Sequence, residues 1–157
     1  GVRVVPVETA AEMEEAVGRE APSADVVVMA AAVADFRPKA AIEGKAKKVD
    51  GPPEIILEPT PDILHELGRA KRPGQVLVGF AAETTAVEAA ARSKLERKHL
   101  DLIVANDVSE PDAGFEVDTN RVLILDAEGG TDRLPLVSKL EVAHRILDRV
   151  VSVLPAR

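Results

Sequence analysis

Short apolar runs of strand length alternate along this chain with longer stretches that open on capping residues, and few folds accept that order. Residues 2–7, 24–29, 54–57, 76–80, 101–107 and 121–126 read as strands. Between them lie "ETAAEMEEAVGRE", "PTPDILHELGRA" and "ETTAVEAAARSKLERKHL", and after them "KLEVAHRILDRVVSVL". Each reads as a helix with a start signal. Thr9 with Glu12, Thr85 with Glu88 and Ser138 with Glu141 have capping-box spacing, and Thr60 precedes Pro61 as cap and first helical residue. The first helix should end near Gly18. Strands that alternate with helices pair in parallel, so the expected fold is α/β with a mainly parallel sheet. "RVLILD", a "GG" turn and "DRLPL" predict a β-hairpin at one edge. The run at 24–29 is nearly continuous in apolar residues, as a strand covered on both faces is.

A chain of 157 residues is one domain with a sizeable core. Tryptophan and tyrosine are absent, so that core rests on Val, Leu, Ile and Ala. The three phenylalanines, Phe36, Phe80 and Phe115, stand at or beyond the ends of apolar runs, where a ring can face a ligand as readily as a core. There is no cysteine, which excludes disulfides and thiol chemistry and is compatible with a reducing cytoplasm. A net charge of −7 argues against nucleic-acid binding by the surface at large. No run reaches the length of a membrane span.

Ligands of parallel α/β sheets bind beyond the carboxyl ends of the strands. Those ends read "AAAVAD", "GFAAET" and "ANDV". Small residues let a flat ligand approach the backbone, and Asp35, Glu83, Asn106 and Asp107 can read its edges. Alanines after a strand also serve tight helix–sheet packing, but three such ends together favour a site. Residues 31–53 and 108–120 form long loops, and the first carries Lys45, Lys47 and Lys48 between Gly44 and Gly51. That segment is either a solvated surface or a lid that closes over phosphate. Lys94 and Lys98 share one helix face; they either complement the helix dipole or clamp a phosphate chain. Thr60-Pro61-Asp62 opens a helix whose free amides can meet an anion, although Asp62 already complements the dipole. His65, His99 and His144 lack metal spacing and read as structural or exposed. The sequence does not identify metal ligands. It has neither G-x-G-x-x-G nor a P-loop, so phosphates are held in another way or a first βα unit precedes this segment.

The ordered blocks "AAAVADFRP", "GKAKK", "TPDIL", "VGFAAET", "KLERKHLDLIVANDVS" and "FEVDTN" cover most of the chain and resemble the bacterial phosphopantothenate–cysteine ligases of coenzyme A biosynthesis. The resemblance implies a Rossmann-like, three-layer fold over residues 1–157 as a single nucleotide-binding ligase domain. It implies CTP, 4′-phosphopantothenate and cysteine as substrates, Mg2+ with the CTP, a homodimer and a cytoplasmic location. It implies CTP contacts at Met29, Ala30, Ala31 and Asp35, at Pro61, Asp62, Ile63 and Leu64, at Phe80, and at Lys94 and Lys98 on the triphosphate. Lys45 corresponds to the catalytic lysine of the family's mobile loop. The family's upstream glycine-rich unit and its flavin-dependent decarboxylase domain are expected outside this segment, so no FMN is expected within it. Two other readings stay open: a non-catalytic CTP-binding or dimerisation module, and an NAD(P)-binding domain, which would want a glycine-rich loop and a tyrosine that are not here.

Overall fold

A computed structural model of the chain describes residues 1–40, 54–107 and 117–155. Its centre is a five-stranded sheet. In chain order its strands are β1 (Val26–Met29), β4 (Val76–Glu83), β5 (Leu102–Asp107), β7 (Val122–Asp126) and β8 (Thr131–Arg133), and they lie side by side in that order. β1, β4 and β5 are parallel; β7 and β8 run antiparallel and form the expected hairpin edge. Helix α2 (Ile63–Ala70) connects β1 to β4, and α3 (Val87–Arg97) connects β4 to β5. Two successive crossovers in one direction put both helices on one face of the sheet. There Leu77, Ala81, Ile103, Ala105 and Leu125 meet Ala91, Leu95 and Leu100, with Leu64 and Leu67 packed against them. On the opposite face Val78, Leu102, Val104, Val122 and Ile124 meet Val142, Ile146 and Val150 of α4 (Lys139–Val153). Helix, sheet and helix pair make three layers, with Leu77, Leu102, Ile103 and Leu125 fully buried between them.

Two smaller ribbons stand outside the sheet. β2 (Phe36–Pro38) pairs with β3 (Leu57–Pro59), braced by Arg37 Nε to Glu58 Oε1 at 2.8 Å. β6 (Thr119–Asn120) pairs with β9 (Val137–Ser138). Both expected loops thus hold short strands, and the strand predicted at 54–57 is displaced toward Pro59.

Local capping decides where the helices start. In α1 (Ala10–Glu20) the Thr9 box forms with both reciprocal bonds, although the helix passes Gly18. Ser138 accepts the amide of Glu141 at 3.2 Å at the start of α4. Two expectations are corrected. The Thr60 hydroxyl donates to the Ala34 carbonyl and its amide to the Asp35 carbonyl, so Thr60 serves the β2–β3 ribbon, and Asp62 caps α2 instead. Thr85 does not cap α3: Ala86 takes the cap position at φ 47° in the left-handed region, which leaves Thr85 a residue outside. A third correction concerns residues 2–7. They form no strand, and Val2 is 92% exposed, because no partner strand lies beside them among the described residues. β1 for the same reason is only half covered, with Val28 exposed. Lys45, Lys47, Lys48 and Phe115 lie outside the described residues.

Candidate functional site

The carboxyl ends of β1, β4 and β5 open into a cleft of about 690 Å³. The chain reaches it from four directions. Met29, Ala30 and Ala31 leave β1 along one rim, and Asp35 follows at the foot of the β2–β3 ribbon. There the Asp35 carbonyl accepts the amide of Thr60 at 2.9 Å, which brings Pro61, Asp62, Ile63 and Leu64 to the same rim. Phe80 enters from β4. It is the one exposed residue between Val76 and Ala81, so its ring belongs to the cleft rather than to the core. Lys94 and Lys98 reach in from α3. Gly79 permits this closeness: a Cβ there would stand 2.8 Å from Leu64 Cδ2 and 2.7 Å from Leu100 Cδ1. The small residues therefore divide between both expected roles. Ala81 packs against α3 and also borders the cleft, while Ala30, Ala31 and Ala82 line it.

Both lysines are already paired. Lys94 Nζ stands 2.6 Å from Glu83 Oε1, an ion pair without the angles of a hydrogen bond. Lys98 Nζ donates to Asp62 Oδ1 at 2.9 Å. Burial alone would raise the Asp62 carboxyl. The hydrogen bond from Lys98, the His65 amide and the Lys98 charge outweigh that and hold it below its ordinary value. The α3 lysines thus answer to carboxylates on the facing elements, not to the helix dipole alone.

Of the three phenylalanines, Phe80 lines the cleft and Phe36 is exposed on the ribbon, away from it. No histidine lines it; His99 and His144 are exposed and His65 is half-buried in α2. The sequence reading missed Asn120, Lys139, Val142, Ala143 and Ile146, which extend the cleft along α4. They come from an antiparallel ribbon and a carboxyl-terminal helix, where no strand-end rule points to a site. Asn106, expected to read a ligand edge, lines the cleft, and its buried Oδ1 has no hydrogen-bond partner among the described residues. Among the described residues no group of three or more His, Asp or Glu is placed to hold a metal, and no helix is long and apolar enough to cross a membrane.

The family described as the DNA/pantothenate metabolism flavoprotein C-terminal domain matches residues 1–154. The chain belongs to this family. It is 49% identical over 148 residues to the coenzyme A biosynthesis bifunctional protein CoaBC of Bacillus subtilis, across 94% of this chain and 36% of that protein. It is 43% identical over 151 residues to a cysteine/cysteine sulfinic acid decarboxylase of an unknown prokaryotic organism, across 96% of this chain and 42% of that one. The chain therefore spans well under half the length of these curated relatives. The crystal structure of the C-terminal domain of a CoaBC protein superposes with a TM-score of 0.75 at 42% identity, covering 93% of this chain and 63% of that one. The DNA/pantothenate flavoprotein C-terminal fold is thus the fold seen here, with its mostly parallel central sheet.

Proposed function

We propose that this chain carries the CTP site of a phosphopantothenate–cysteine ligase. The observation that supports the reading is convergence. Of the residues that the sequence resemblance assigns to CTP, the eleven that are described all line one cleft, although they come from separate segments between Met29 and Lys98, and Lys45 lies outside the described residues. The relatives' place in coenzyme A biosynthesis agrees with it.

In this reading the carboxylate of 4′-phosphopantothenate attacks the α-phosphorus of CTP. A carboxyl O–P bond forms, the bond to the β-phosphate bridging oxygen breaks, and pyrophosphate leaves. The amine of cysteine then attacks the acyl carbon, CMP departs with the carboxyl-derived oxygen, and the amide remains. The chain's share is orientation and charge. Backbone at Met29–Ala31 gives a flat base close approach, Phe80 offers it an apolar face, and Lys94 and Lys98 meet the phosphates. Lys45 is assigned to charge developing on the α-phosphate. Magnesium takes oxygen donors and commonly keeps its waters beside one or two carboxylates and substrate phosphates. Asp62, a carboxylate on the cleft, fits that requirement, and a bound ion would neutralise phosphate charge. A homodimer and a cytoplasmic location belong to the same proposal.

The test is calorimetric titration with CTP, ATP and NAD, followed by pyrophosphate release with CTP, phosphopantothenate and magnesium before cysteine is added. The reading expects binding of CTP over ATP and release that depends on phosphopantothenate. Equal affinity for CTP and ATP refutes the preference, and NAD binding alone would favour a dinucleotide domain.

A further inference from the structure

Lys94 and Lys98 line the cleft, and each is met by a carboxylate that another element supplies. Side chains lean toward the amino end of a helix, so Lys94 reaches back to Glu83 at the carboxyl end of β4, 2.6 Å away. Lys98 donates to Asp62 at the start of α2, 2.9 Å away. Other ion pairs of this chain are of a different kind. Arg19 with Glu15 and Arg145 with Glu141 are four residues apart on exposed helix surface. The cleft pairs join separate elements, and the Glu83 and Lys98 side chains are each only 18% exposed, where salt screens charge less.

Two ammoniums and two carboxylates sum to no charge. Bare lysines would attract a phosphate more strongly, yet the fold neutralises both. A partner tethered to the same chain competes at an effective concentration on the order of millimolar even when the tether is flexible, and here it is already folded into place. A phosphate group that takes one lysine exchanges one oxyanion for another and gains little Coulomb energy. A phosphate chain that spans both lysines carries more charge and loses its translational freedom once for two exchanges. When such a chain leaves, the carboxylates are at hand to close on the lysines again.

We propose that Glu83 and Asp62 are built-in competitors for phosphate, which hold Lys94 and Lys98 until a phosphate chain that takes both displaces them. The proposal rests on the ligase reading above, because it needs a polyphosphate at these lysines. It assigns Glu83, which that reading leaves without a role, to limiting how tightly the phosphates are held. A carboxylate that merely orients its lysine for the ligand would do the reverse, and its loss would weaken binding. The sign of the effect therefore separates the two roles.

The experiment uses the protein at its full natural length and titrates it calorimetrically with inorganic tripolyphosphate. A chelator is present, so that no metal at Asp62 enters the result. Glu83→Gln and Asp62→Asn each keep the shape and remove the charge, and Asn still offers an oxygen to the His65 amide. Each should tighten tripolyphosphate by roughly fivefold, the upper worth of a partly exposed ion pair, and the double variant by roughly 25-fold. In a Lys94→Gln background the gain from Glu83→Gln should vanish, and in a Lys98→Gln background so should the gain from Asp62→Asn. Weaker or unchanged binding in the carboxylate variants overturns the proposal. So does a gain that survives loss of the matching lysine, since that is only a change in distant charge, or a double variant no tighter than the single ones. Where one carboxylate variant does not fold, the other decides with its own lysine. Tripolyphosphate bound by neither wild-type protein nor the double variant refutes this inference and the phosphate roles of the ligase reading together. The expected gains in a protein that binds CTP no better than ATP would sink the CTP reading and leave the competitors standing.

Discussion

Lys98 Nζ and the backbone amide of His65 converge on a single oxygen, Oδ1 of Asp62, at 2.9 Å and 3.1 Å. One carboxylate therefore caps α2 and holds the end of α3, and the cleft lies between those helix ends. Lys94 is held by Glu83 through an ion pair without hydrogen-bond geometry. A phosphate chain that enters the cleft must exchange for these carboxylates.

That exchange decides how the lysines should behave on substitution. Lys94→Gln and Lys98→Gln should each weaken CTP more than CMP, because only CTP presents distal phosphates. A charge-assisted contact is worth about 1.5–3 kcal/mol, and the carboxylate released on binding should place the observed loss toward the low end. Equal losses for the two nucleotides, measured by calorimetry, would return both lysines to a purely helical role.

The Asp62 charge gives a pH signature. Its carboxyl is held below the ordinary value, so the stability it contributes is complete above the unfolded value of about 3.9 and is lost as pH falls through the lower folded value. Asp62→Asn should therefore be the less stable protein at neutral pH. The difference should shrink progressively below about pH 4. Urea unfolding at a series of pH values measures it, and a gap that persists into strong acid would assign the loss to packing instead.

Caps and strand ends were legible in the sequence because they depend on neighbours. Thr9 and Ser138 reach amides three residues away, and parallel strands all deliver their carboxyl ends to one side of the sheet. The failures also have physical causes. Residues 2–7 have strand propensity, but a strand needs a partner, and none lies beside them among the described residues. Thr85 had the right spacing and lost its role to the backbone conformation of Ala86. The pairing of Lys98 with Asp62 and the α4 wall of the cleft join segments far apart in sequence, and no local pattern encodes them.

Phe80 tests whether the cleft or the core owns that ring. Phe80→Leu keeps much of the apolar volume and removes the flat face. With the residue 37% exposed, the ligand-free protein should lose little melting temperature, while affinity for CTP falls. A large thermal loss with intact affinity would make Phe80 a core residue.

His99 ends α3 at φ 53°, in the left-handed region, with its amide on the Glu96 carbonyl and the Leu100 amide on the Leu95 carbonyl. This is the Schellman arrangement, in which glycine is the favoured residue. A histidine there bears the steric cost of its Cβ. His99→Gly should raise stability by about 1 kcal/mol, the cost of one residue held left-handed. A lower denaturation midpoint would mean that the imidazole makes a contact worth more than the strain.

Gly68 and Gly18 both sit in helices, and the same substitution should act on them with opposite sign. Around Gly18 in α1 there is open space, so Gly18→Ala should stabilise by about 0.5–1 kcal/mol through helix propensity alone. At Gly68 in α2 a Cβ would fall 1.9 Å from the carbonyl oxygen of Lys98 and 2.9 Å from its carbonyl carbon. Backbone cannot rotate aside as a side chain can, so α2 and the end of α3 must separate. Forced repacking of this kind costs about 1–3 kcal/mol, which outweighs the propensity gain. The carbonyl that would move belongs to the residue whose ammonium is held on Asp62, so the damage should reach the cleft. Gly68→Ala should lower both the denaturation midpoint and the affinity for CTP, while Gly18→Ala raises the first and leaves the second unchanged. If Gly68→Ala proves as benign as Gly18→Ala, the two helices yield freely at this contact, and the placement of Lys98 must be enforced by its ion pair alone.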